Sequence, residues 1–321
     1  MSFILQSSDA LELIGNFGGQ RARRLAELTR GDLPVPAWFC VTSSAMERFL
    51  RGNMLLEFLA QVGIEISSQP RPTEARLEEL AQEIEKRILG SSVSPEVAKA
   101  IHVECSRLQL GGTFSLVASP LYDYSVHAAP FVNQPSQVAL LVALRKLWAS
   151  AMSAPAVTER LERRSPVWPV SIGVTVSKSV RAKASGIAYE LAAAADANGD
   201  SGSKVVIVES VWGSSALGRE THDRFIVQVE TGAVTPQPVE KTFAYRPAPD
   251  GGLERMPVAI VDRARVTLTP PEALAVAELA VDARELLGFS GQLEWAIDDE
   301  RLHSLDFAPR AAPGAAAQKV N

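Results

Sequence analysis

The stretch that most restricts the fold is residues 291–309, GQLEWAIDDERLHSLDFAP. Leu293, Trp295 and Ile297 alternate with Glu294 and Ala296, which is the two-residue period of a strand with one apolar face. Asp298-Asp299-Glu300-Arg301 is a polar turn, and 302–307 alternate again on the return. The segment therefore reads as a β-hairpin. Glu294 and Asp306 stand nearly equally far from the middle of that turn, so pairing would set two carboxylates side by side. Such a pair repels unless a cation or a proton intervenes.

A hairpin needs a sheet to join, and the chain of 321 residues is long enough for two lobes. Its net charge of −5 gives no reason to expect a nucleic-acid surface, and no apolar run is long enough to span a bilayer. The opening MSFILQSSDALELI lacks the basic start and apolar core of a signal peptide, so the expected compartment is the cytoplasm. Cys40 and Cys105 build neither a disulfide framework nor a metal knuckle and read as small buried hydrophobes.

Taken in order, residues 11–29 hold the glycine pair Gly18-Gly19 and then a helical stripe of Ala22, Leu25, Ala26 and Leu28, with arginines opposite. A glycine turn entering a helix N-terminus can hold phosphate. A glycine pair is a weak signal, however, and these residues alone favour a tight turn followed by a solvated basic face. Trp38 to Val41 is a strand, and Thr42 or Ser43 caps the next helix. Residues 53–109 are mostly helical, with Ser94-Pro95-Glu96 as a helix start. His102 and Cys105 lie three apart without a second pair, which points to packing rather than zinc.

Phe114 to Val117 is an apolar strand, and 118–134 is a long irregular segment of the kind that binds ligands. Tyr122 and His127 are its candidate contacts, His127 also as a general base, and packing is the equal alternative for either. Residues 136–150 form a helix with Val138, Leu141, Leu144 and Trp148 inward. From Trp168 strands dominate: 170–176, 183–189 with a turn at Ser185-Gly186, 205–208 and 224–229. Residues 191–203 read as a surface loop and 236–257 as a polar hairpin or excursion. Residues 270–287 form an amphipathic helix closed by Gly288, directly before the hairpin. Residues 311–321 read as a disordered tail.

These pieces, in this order, resemble the N-terminal nucleotide-binding region of phosphoenolpyruvate synthase and pyruvate phosphate dikinase, also found in rifampin phosphotransferases. The family opening, of the form GGKGANLAELTRAGLPVPPGFVVTT, is similar to GGQRARRLAELTRGDLPVPAWFCVTS at 18–43. Its VRSSATAEDLPGASFAGQ stretch corresponds without a gap to 117–134, its WAS helix end to 144–150, and its SGV strand to Ser185-Gly186-Ile187. Its WGLGEA…GRVTPDRFVV resembles 212–227, and its closing DIEWAID…LYLLQARP resembles 292–309.

The resemblance implies an α+β, ATP-grasp-like two-lobe fold. It divides the chain into an N-terminal lobe at 1–167, a C-terminal lobe at 168–310 and a tail at 311–321. It implies a kinase-like, ATP- and Mg-binding protein. Glu294 and Asp306 would hold the metal and Arg21 would face the phosphates. Ser177, Lys178 and Val180 would flank the adenine. The small-molecule ligand is expected in the cleft between the lobes.

Several family positions are changed. The first-motif lysine falls on Arg21 or Gln20, depending on which end is counted from; the VRSS arginine is Ala118 and its second serine Pro120. The GLGEA glutamate has no clear counterpart in 213–218. Gln292 replaces the acid before the EW pair, Asp306 the QARP glutamine, and Ala308 its arginine. Arg23, Arg24, Lys178, Arg181 and Lys183 are the cations available to compensate. The family's phosphohistidine and pyruvate-binding domains are absent from these residues, so if the chain turns over ATP its acceptor site is expected either within it or on a partner protein that supplies them. Two further readings stand beside ATP chemistry. One is an inactive scaffold that binds a ligand or partner. The other is a repurposed catalyst using Tyr122, Asp123, Tyr124, His127 and His222.

Overall fold

The computed structural model describes residues 2–108, 113–121, 130–191, 204–214 and 221–310. The chain divides into two compact units. The first comprises Met1–Ala26, Ala37–Ser179 and Pro249–Gly252; the second comprises Glu27–Pro36, Val180–Ala248 and Leu253–Asn321. The elements are α helices and antiparallel sheets, an α+β fold.

In chain order the first unit carries β1 (Ile4–Leu5), α1 (Leu11–Arg30, whose last residues belong to the second unit), β2 (Trp38–Val41), α2 (Ser43–Gly52), α3 (Leu56–Ser67), α4 (Glu74–Gly90) and α5 (Pro95–Arg107). There follow β3 (Phe114–Pro120), β4 (Phe131–Gln134), α6 (Gln137–Ser150), α7 (Ala154–Glu162) and β5 (Ile172–Lys178). Its sheet has the order β1-β2-β5-β3-β4. The strand pattern that opened a second lobe at 168 begins with β5, which is hydrogen-bonded between β2 and β3 and so belongs to the first unit.

Helix starts follow the local chemistry. Ser94 and Ser136 accept N–H bonds from Val97 and Ala139, and Pro95 occupies the first turn where its missing N–H costs nothing. The core of this unit joins Phe39, Phe49, Leu144 and Trp148 from strand and helices. In α6 the buried stripe is Leu140, Ala143, Leu144, Leu147 and Trp148. Val138, expected inward, is 73% exposed, because it lies two residues before that stripe rather than three or four.

The second unit carries β6 (Ala184–Glu190), β7 (Val205–Trp212), β8 (Asp223–Gln228), β9 (Ala233–Gln237), β10 (Phe243–Pro247), β11 (Leu253–Pro257), α8 (Pro270–Leu287), β12 (Gln292–Ile297) and β13 (Leu302–Ala308). Its main sheet has the order β13-β12-β6-β7-β8-β9, and β10 and β11 form a separate hairpin. No turn occurs at Ser185-Gly186. Both residues pair with β7 and β12 at once, and Gly186 is required because a Cβ there would overlap the Glu209 carbonyl. Thr269 and Glu272 cap α8 reciprocally, and Gly288 ends it at φ +74°. The outer edge of β13 is covered where Ser304 N–H bonds the Pro34 carbonyl at 2.9 Å. A buried ion pair ties this unit together. Lys241 Nζ lies 2.6 Å from Asp223 Oδ1, and Asp223 Oδ2 accepts from Thr267 N and Oγ1.

Candidate functional site

The six-stranded sheet has two different faces. Residues Phe307, Leu293, Ala188, Val208 and Phe225 form one cross-strand row, all buried. That face carries α8: Glu190, of the same parity, is 2.6 Å from Arg284 of the helix. One residue over, the opposite face carries the row Asp306, Glu294, Ile187, Glu209 and Arg224. Residues directly opposite in antiparallel strands share a face, so Glu294 and Asp306 are neighbours, as expected from the sequence.

The route to that neighbourhood is not the one the sequence suggested. At the turn the register pairs Ile297 with Leu302, Ala296 with His303 and Trp295 with Ser304. Continued without interruption, it would set Leu305 opposite Glu294. A bulge between Glu294 and Trp295 leaves Leu305 as the extra residue and advances Asp306 into place. The bulge also sends Ser304 and Asp306 to opposite faces. Asp306 is buried, with Oδ1 accepting its neighbour Phe307 N–H at 2.9 Å, and Glu294 is half-buried.

The hairpin turn is clamped by Asp298. Its Oδ1 accepts the N–H groups of Glu300 and Arg301, and its Oδ2 lies 2.7 Å from His303 Nε2. Burial alone would raise the Asp298 carboxyl, but the Arg301 N–H, His303 and the Glu300 N–H outweigh it and hold it below the usual carboxylate range.

Two strands from Glu294, Glu209 gathers polar groups that sequence reasoning missed. Its Oε1 takes bonds of 3.1 Å from both Tyr189 Oη and Arg224 Nη2, and its Oε2 is 3.6 Å from His222 Nε2. Burial, and then the Glu209 charge, push the Tyr189 hydroxyl up. The Arg310 guanidinium lies 3.4 Å over the Tyr189 ring. The signal for Glu209 was available: it is the single charge in VVIVESVW, and Arg224 stands on the neighbouring strand. Nothing local marks Arg310. Of the candidates for other chemistry, His222 joins this cluster, whereas Tyr122, Asp123, Tyr124 and His127 lie outside the described residues.

In the first unit α1 is two helices. Gly19 breaks it at φ +83°, ψ 177°, pressed against β3, where a Cβ would overlap the carbonyl oxygens of Ser119 and Pro120. The second half begins there, and Ser119 Oγ accepts the Ala22 N–H at 3.1 Å, occupying one donor of the new helix N-terminus. Arg21 is half-buried in its first turn. A cavity of about 400 Å³ beside it is lined by Glu12, Gly15, Asn16, Gln20, Arg23 and Leu121. The glycine pair thus makes the expected tight turn into a helix.

Ser177 and Lys178 close β5 at its other end. Ser177 pairs with Trp38 and Ser115 and is half-buried, and Lys178 is exposed. Gly173, which touches Gly18, is four residues from Ser177, about 13 Å by strand rise. Val180 is the first residue of the second unit's main segment and is half-exposed. Among the cations proposed as compensating, Lys183 is held at 2.7 Å by Glu272.

No group of three or more His, Cys, Asp or Glu side chains suited to a metal occurs among the described residues. The pair Glu294 and Asp306 fits Mg²⁺ nonetheless, since that ion takes one or two carboxylates and completes its shell with waters and substrate phosphates.

Residues 15–319 match the family described as pyruvate phosphate dikinase, AMP/ATP-binding domain. A probable phosphoenolpyruvate synthase of Methanothermobacter thermautotrophicus is 24% identical, over 96% of this chain and 46% of the relative. A rifampicin phosphotransferase of a Streptomyces species is 26% identical, over 95% of this chain and 35% of the relative. A prodigiosin synthesizing transferase of Serratia marcescens is 22% identical, over 91% of this chain and 31% of the relative. The chain therefore spans between 31% and 46% of the length of these curated relatives.

Proposed function

Because the chain belongs to the pyruvate phosphate dikinase AMP/ATP-binding domain family, we propose that it binds ATP as its magnesium complex and acts as the nucleotide-binding part of a phosphotransferase. The observation that carries this reading is the bulge that sets Glu294 directly opposite Asp306. Two carboxylates side by side on one sheet face are the donor type that a hard divalent cation takes. Glu294 and Asp306 would hold Mg²⁺, which when bound neutralises charge on the phosphates. Arg21, in the first turn after Gly19, faces the phosphates in this reading. Ser177, Lys178 and Val180 flank the adenine. The three relatives named above differ in what their names say they make or modify. In this reading the acceptor is a small molecule or a partner protein.

A second reading, a catalytically inactive or repurposed scaffold, is favoured by Ala118 and Ala308, which put no charge where the family resemblance expects arginine. Loss of one such donor costs about a hundredfold in rate.

Thermal unfolding with and without Mg·ATP tests the proposal. A rise in melting temperature that needs both metal and nucleotide, and that Glu294→Ala abolishes, is the expected result. No shift at millimolar Mg·ATP would reject the ATP reading. A shift with no ADP formed on long incubation would select the inactive scaffold.

A further inference from the structure

We propose that Arg310 is a phosphate-binding residue, presented on the acid-bearing sheet face by the ring of Tyr189; the inference rests on the Mg·ATP reading above. Gln292 pairs with Ala308 on one side and Tyr189 on the other, and Glu294 pairs with Asp306 and Ile187. The two rows share a face and are two residues apart, about 7 Å. Arg310 follows β13 two residues after Ala308 and returns over the first row, its Cζ 3.4 Å from the Tyr189 ring centre. Its side chain therefore lies one row from the acid pair.

The platform is built. Tyr189 is 5% exposed, and its hydroxyl is fixed to Glu209, which Arg224 grips in turn. Stacking on a ring orients a guanidinium by its flat face and leaves the N–H edge free for a bidentate contact with phosphate. Among the described residues no carboxylate lies within ion-pair distance of Arg310, whereas Arg224 is paired with Glu209. A metal held by two carboxylates neutralises them but not a polyphosphate. The excess negative charge falls beside this row, where residue 308 is an alanine too short to reach it.

The test measures dissociation constants of Mg·ATP and of AMP for the wild type and four variants. Arg310→Ala should weaken Mg·ATP by about tenfold or more, the weight of one charged hydrogen bond, and change AMP less than about twofold, since AMP lacks the phosphates nearest the metal. Arg310→Lys should recover only part of the loss, because an ammonium has no planar fork. Tyr189→Ala should imitate Arg310→Ala, and Tyr189→Phe, which keeps the ring but not the bond to Glu209, should lose less. Wild-type Mg·ATP affinity in Arg310→Ala, with binding still lost in Glu294→Ala, would overturn the Arg310 assignment and leave the ATP reading standing. Equal losses for AMP and Mg·ATP would also overturn it, by showing a structural effect. No Mg·ATP binding by the wild type would overturn both.

Discussion

At Gly19 the backbone takes φ +83° and presses against the carbonyls of Ser119 and Pro120. A side chain at this position meets two separate penalties. Positive φ with ψ near 180° is a region open essentially to glycine alone and costs an L-residue about 1–3 kcal/mol, and overlap with fixed backbone adds about 1–3 kcal/mol. Gly19→Ala should therefore lower stability by at least about 2 kcal/mol, read as a fall in the urea midpoint at unchanged slope. If the kink also shapes the Arg21 turn, the same variant should weaken Mg·ATP more than the stability loss accounts for. A midpoint within error of the wild type would show that the kink relaxes freely.

Among elements, the β12–β13 hairpin concentrates the most consequences in the fewest residues. Its turn depends on one carboxylate, Asp298, which accepts two backbone N–H groups and faces His303. Asp298→Ala should cost about 1–3 kcal/mol at pH 7 through those lost bonds. The pH dependence has a defined sign. The folded Asp298 lies below its unfolded value of about 3.9, so its contribution is full above that value and disappears as the pH falls through the folded one. The stability gap between wild type and variant should be present at pH 5 and shrink as the pH falls below about 4. A gap that held or grew as the pH fell from 5 to 2 would refute the clamp. The bulge a few residues on is a separate device: it leaves the turn alone and moves only the residues beyond it.

For the whole molecule, ligand linkage and thiol chemistry provide the readouts. ATP at a hundred times its dissociation constant should stabilise the protein by about 2.7 kcal/mol. Both cysteines lie in the first unit and are buried, and burial pushes their thiols up, Cys40 to about 12 and Cys105 to about 11. Neither should react with a thiol reagent at pH 8 until that unit opens, and both should react in denaturant. Rapid labelling of either in native buffer would contradict the packing. The stretch Gln137–Glu162 is apolar enough by composition to cross a membrane, but it is two helices, and Leu140, Leu144, Leu147 and Trp148 are buried in the first unit's core.

Local chemistry alone determined the helix caps at Ser94, Ser136 and Thr269, the αL stop at Gly288, the apolar face of β12 and the hairpin turn, because each depends on a few consecutive residues. Long shared motifs likewise carried the family. Three features needed the folded chain. The bulge at Leu305 shifts the partner of Glu294 by one residue. The cluster at Glu209 joins residues from β6, β7 and β8 that only the register brings together. Arg310 reaches Tyr189 across more than a hundred residues of sequence. A strand's own residues fix its period and its faces; which residue stands opposite depends on the neighbouring strand, and that neighbour is set only when the sheet assembles.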